Sequence, residues 1–109
     1  MRPERADKDA LAEDWTRLVA RLQQDTRFDG RALAAGLFAA LALGISADSR
    51  GFATDFGLSH ALVLREVVVL EDEMGLVATT REDARTQRRF LGLTPEGKVL
   101  AAEAGGTTP

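Results

Sequence analysis

Cysteine is absent from this chain. Its absence excludes disulfides, thiolate zinc sites, cysteine nucleophiles and thiol redox sensing. Histidine is nearly absent as well: His60 stands alone, without the partner imidazoles that a histidine metal cluster needs. A basic excess is also missing. With 14 Lys and Arg against 17 Asp and Glu the formal net charge is −3, so any affinity for a polyanion must come from local charge. The longest apolar run, Ala32 to Ile45, falls short of the roughly 20 residues a membrane-spanning helix requires. The opening M-R-P-E-R-A-D-K-D-A is charged throughout and has no apolar core of a secretory signal, which makes a cytoplasmic location the expectation. There is no internal repeat, no glycine-rich phosphate cradle after a strand, and no nucleophile beside a base. Neither an enzyme nor a cofactor is expected.

What is present suits an ordinary globular chain. The 109 residues are 45% hydrophobic and 28% charged, which fits one domain over residues 1–109 with a modest core. The chain is organised around Leu58 to Gly97. Ser59 is a good N-cap, and Ala61, Val63, Val67, Leu70 and Met74 recur at the spacing of a helix core stripe. Gly75 is the expected stop. Leu76–Thr80 and Arg88–Leu93 read as paired strands with a polar tip at residues 81–87. Thr94-Pro95 then caps and opens a final helix through Ala104.

Upstream, residues 1–7 read as an arm. A helix from about Asp9 to Gln24 follows, within residues 8–25, with a narrow seam of Leu11, Trp15, Leu18 and Leu22. Two compatible readings apply to it: packing on its own core, and dimerisation. Asp29 is the expected cap of a second helix to about Leu43, apolar nearly all round. So few elements are available to cover this helix that a partner subunit is favoured. A tightly packed core and a small-molecule effector pocket along it both stay open. Gly44–Asp48 reads as a turn, Asp48 or Ser49 caps a short helix ended by Gly57, and residues 105–109 read as a flexible tail.

Gly-Leu-Val at residues 75–77, Asp83-Ala84-Arg85, and Leu93-Thr94-Pro95-Glu96-Gly97 occur here in one order and spacing. Roughly residues 46–104, with the helix-turn-helix and wing at 46–94, resemble the MarR family of bacterial transcriptional regulators. The resemblance implies a mainly α fold with a small β-hairpin: a winged helix-turn-helix with a three-helix core, a wing, and an N-terminal and a C-terminal helix. It further implies a homodimer on double-stranded DNA, with Ser59, His60 and Arg65 on the groove-facing helix and Arg85 at the wing tip. Arg81, Arg88 and Arg89 complete the basic wing, which at net +2 against Glu82 and Asp83 is the chain's candidate phosphate surface.

Thr86 stands where the family carries a second aspartate. The helix from Ser59 to Gly75 has Arg65 against Glu66, Glu71, Asp72 and Glu73, a net −3, with Leu62, Leu64, Val68 and Val69 in positions usually polar. An acidic, apolar helix of this kind motivates an alternative function, a winged-helix protein-interaction module without DNA binding.

Overall fold

A computed structural model describes residues 3–105, with side chains from Asp9 onward. Five α-helices and a two-stranded antiparallel hairpin make up the described residues. In order they are α1 (Pro3–Leu22), α2 (Ala32–Ala42), α3 (Ser49–Phe56), α4 (His60–Val68), β1 (Val77–Asp83), β2 (Arg88–Leu93) and α5 (Pro95–Gly105). This is a mainly helical fold with one small hairpin. No helix among the described residues is long and apolar enough to cross a membrane.

The ends of the chain differ from expectation. Helix α1 reaches back to Pro3, where an arm was expected through residue 7, and Gly105 closes α5 rather than opening a tail. Residues 1–2 and 106–109, the rest of that arm and tail, lie outside the described residues. Along the α1 seam Leu18 and Leu22 are buried, Trp15 is half-buried and Leu11 is 38% exposed. Trp15 reaches α2, where its indole N–H donates to the Gly36 carbonyl at 3.0 Å. It also leans on Phe56 at 5.2 Å between ring centroids, and Phe56 stacks on Phe52 at 4.4 Å, so an aromatic row joins α1 to α3.

Asp29 does not cap α2. Asp25 instead caps a short 3-10 turn, Thr26–Phe28, and the chain passes through Gly30 before α2 begins after Arg31, which makes no side-chain cap bond. The cause is Phe28, fully buried against Phe38 at 6.2 Å, which draws this connection down onto the core. Helix α2 then runs through the centre of the molecule, with Ala34 to Ala40 all buried. The single chain covers it: α1, α4, α5 and β2 all pack around it. A second subunit is therefore not needed to bury this helix.

Local chemistry sets the next boundaries as read. The Asp48 carboxylate accepts from the Gly51 N–H at 2.7 Å to start α3. At its end Gly57 adopts φ 67°, a left-handed conformation that costs a side-chain-bearing residue more, and the Leu58 N–H returns to the Ala53 carbonyl at 2.8 Å. Ser59 Oγ accepts from the Leu62 N–H at 3.1 Å and opens α4. Val63, Val67 and Leu70 face the core as expected, but Ala61 is exposed. The helix does not stay regular to its end: Val69–Glu73 form a wider π turn before Gly75.

The hairpin is longer than its sequence pattern implied, with β1 extending to Asp83 and the tip contracting to residues 84–87. Register runs from Val77 opposite Leu93 to Asp83 opposite Arg88, with Thr80 bulged between Thr79 and Arg81. The bulged Thr80 hydroxyl donates to the Phe90 carbonyl at 3.1 Å. The segment before α3 is more than a turn. Asp48 bridges to Phe90, and the Leu91 N–H donates to the Ala47 carbonyl at 3.0 Å, giving β2 a short partner on its second edge. Thr94 links the far end of the hairpin to α4, donating to the Gly75 carbonyl at 2.7 Å and accepting from the Gly97 N–H at 3.0 Å.

Candidate nucleic-acid interface

The hairpin is fastened to both ends of α4. Near the N-terminal end the tie is Ser49, whose side chain is fully buried. Its Oγ lies 2.8 Å from His60 Nε2 and accepts the Arg89 N–H at 3.0 Å, so one hydroxyl joins α3, α4 and β2. At the C-terminal end the tie is Glu71. Its carboxylate accepts from the Thr79 N–H and from the Thr79 hydroxyl, each at 2.9 Å, and lies 3.7 Å from the Arg89 guanidinium. These two clamps fix the angle between helix and hairpin.

The clamps also alter the charge of the helix as a partner would meet it. Of its four acids, Glu71 is turned onto the hairpin and Glu73 is paired with Arg31 at 3.4 Å.

The seven expected site residues divide into three groups. Ser59 is exposed, its hydroxyl oxygen accepting the Leu62 N–H as a cap, while His60 is turned inward to Ser49. His60 is half-buried and does not point outward as a groove-facing donor. Burial, with the positive charge of Arg50 and of Arg88 beside it, holds its imidazole below the ordinary histidine pKa against the opposing pull of Asp48.

Arg88 and Arg89 are half-buried and paired with acids. Arg88 Nε lies 3.3 Å from Asp48 Oδ1, too bent for a hydrogen bond but close enough for ionic attraction. Arg89 faces Glu71 and, at 3.9 Å, Glu82. Their expected role as free phosphate ligands does not match this placement.

Arg65, Arg81 and Arg85 remain, all exposed. Arg81 lies over the Phe90 ring at 4.1 Å, an arrangement that stiffens the side chain while its charge stays in solvent. Arg85 sits at the hairpin tip, where its N–H donates to Asp83 Oδ1 at 3.0 Å and only its backbone is held. Thr86 accepts from the Arg88 N–H at 3.3 Å through its hydroxyl and offers Arg85 no ionic brace. Arg50, at the start of α3, reaches the Thr86 carbonyl at 3.4 Å and adds a cation beside the tip.

Sequence reasoning missed Ser49 as a hub and Glu71 as a clamp. Both were visible only as a helix start and a surface acid, because their partners lie 40 and 8 residues away.

An open apolar cleft of about 430 Å³ lies elsewhere, between Trp15, Leu33, Gly36, Phe52, Phe56 and Leu58, so α2 does line a concave surface. Among the described residues no group of three or more histidine, aspartate or glutamate side chains is placed to hold a metal ion. Comparisons with protein-family models, curated proteins and solved structures find no match for this chain.

Proposed function

We propose that the chain is a winged-helix, MarR-like transcriptional regulator of the cytoplasm that binds double-stranded DNA as a homodimer. Helix α4 enters the major groove and the hairpin, as the wing, places Arg85 in the neighbouring minor groove. The carrying observation is that Arg65 and Arg85 are exposed and free of acidic partners among the described ion pairs, on two elements clamped together at both ends of α4. Two of the four acids between Ser59 and Gly75 already have partners, Glu71 half-buried on the hairpin and Glu73 in an exposed pair with Arg31, which lessens the local repulsion of a duplex. Two copies would place two such helices on successive grooves of a pseudo-palindromic site. Leu11 on α1 and Val99 on α5, 38% and 58% exposed, are the apolar side chains left over for pairing.

A salt series of binding to genomic fragments, including the promoter beside the chain's own gene, tests the reading. Arg85→Ala weakens binding to all sequences alike and lowers the salt slope by about one. Unchanged binding removes the wing from the account, and light scattering settles the dimer.

A protein-interaction module is the second reading, favoured by Leu62 and Val68, 37% and 40% exposed on α4. A stoichiometric partner lost on Leu62→Glu, with no duplex bound even at low salt, would establish it in place of the first.

A further inference from the structure

The side chains of α4 fall into three arcs. Over His60–Val68, at about 100° per residue, Val63 and Val67 form the core arc and His60 lies on the arc clamped to Ser49; in the π turn beyond, Leu70 continues into the core and Glu71 turns to Thr79. The third arc faces solvent and holds Ala61, Leu62, Arg65 and Val68. Arg65 lies in its middle, with Ala61 and Val68 on one side and Leu62 on the other. Ser59, at the N-cap, and His60, turned to Ser49, lie off this arc. The carboxylates of Glu66 and Asp72 offer acceptors rather than donors. Arg65 is therefore the one hydrogen-bond donor on the free arc of α4, set among methyl groups.

Each base pair shows a different edge in the major groove. Guanine presents the O6 and N7 acceptor pair that matches a guanidinium fork, and thymine presents a C5-methyl. An arc of one arginine flanked by apolar side chains has no amide to pair with adenine. It complements a guanine next to thymines.

From this match, and resting on the regulator reading above, we infer that Arg65 determines specificity: it reads a single guanine per half-site, while Ala61, Leu62 and Val68 read adjacent thymine methyls. Sequence preference is then narrow and largely apolar in origin. The tip arginine Arg85 supplies affinity without preference.

Selection from a random duplex pool, followed by competition with modified duplexes, tests the inference. The selected half-site contains a guanine beside thymine. Replacing that guanine by 7-deazaguanine, or Arg65 by alanine, weakens binding about tenfold or more and flattens the preference at that position. Replacing the flanking thymines by deoxyuridine, which removes only the methyl, weakens binding several-fold. Arg85→Ala lowers affinity for selected and unselected duplexes equally. Retained guanine preference in Arg65→Ala, or indifference to deoxyuridine, overturns the inference and leaves the regulator reading standing. Binding to no duplex at low salt overturns both. Arg65 is exposed, so circular dichroism of the variant separates a lost contact from a lost fold.

Discussion

His60 Nε2 and Ser49 Oγ lie 2.8 Å apart across the junction of α3 and α4, and the same oxygen receives the Arg89 N–H at 3.0 Å. One protonation pattern satisfies Ser49, the Arg89 N–H and Nε2 together. Ser49 accepts from Arg89 and donates its own hydrogen to an unprotonated Nε2, which assigns the imidazole proton to Nδ1. A charged imidazole would have to donate to Ser49 instead, leaving the hydroxyl proton without an acceptor in a fully buried position.

The pH dependence follows from that geometry. His60 is held below the ordinary value, first by burial, then by Arg50 and Arg88 against Asp48. The unfolded chain, with a histidine pKa of about 6.5, binds a proton more readily than the folded one. Stability is fully present above that value. It declines as pH falls below it and levels off once the folded imidazole is charged as well. His60→Gln removes this component, so denaturant unfolding of the wild type loses more stability between about pH 7 and 5 than the variant does. The lone imidazole resonance reads the same group directly by NMR. A midpoint at or above the ordinary histidine value would contradict the account.

Glu71 makes a prediction of a different kind, because it holds backbone. Its carboxylate takes the Thr79 N–H, which no other group is placed to receive, and the Thr79 hydroxyl. Glu71→Ala leaves that amide without its acceptor at a half-buried site, a loss of about 1–3 kcal/mol. Glu71→Gln keeps one oxygen and loses less. Hydrogen exchange separates local from global effects. The Thr79 amide loses protection in Glu71→Ala, while amides of the buried α2 weaken only as far as overall stability does. Equal protection of Thr79 in wild type and variant would show that the clamp carries no load.

The elements most legible in the sequence are those whose cause is local. Ser59, Asp48 and Thr94 cap helices because a side-chain oxygen and an amide three residues on are fixed by the chain itself. Gly57 and Gly75 end helices for a reason equally local. What escaped depended on distant partners. The spacing and the family pattern put His60 on the groove-facing helix, but Ser49 beneath it turns the ring inward, and Asp48 and Glu71 pair with Arg88 and Arg89 from elements remote in sequence. Asp29 had the right chemistry for a cap, but Phe28 needed burial more than α2 needed Asp29. Helix α2 looked too apolar for one chain to cover, because periodicity does not reveal how many neighbours arrive from elsewhere.

Gly97 gives the most direct test of how the hairpin meets α5. The first turn of α5 lies against the backbone where β1 begins, and a Cβ on Gly97 would stand 2.1 Å from the Leu76 carbonyl oxygen. That oxygen is itself engaged, accepting the Thr94 N–H at 3.1 Å, so it cannot turn aside without breaking the connection that starts α5. The residues Gly75-Leu76 and Thr94 to Gly97 therefore belong to one joint, in which a threonine bridges two backbones and a glycine lets them touch. Gly97→Ala must push α5 outward or distort this joint, at a cost of about 1–3 kcal/mol despite alanine's better helix propensity. Lys98→Ala, one residue on and exposed, stays within about 0.5 kcal/mol of the wild type. Thermal unfolding of the two variants side by side decides the matter. A Gly97→Ala protein as stable as Lys98→Ala would mean that α5 does not approach the hairpin this closely.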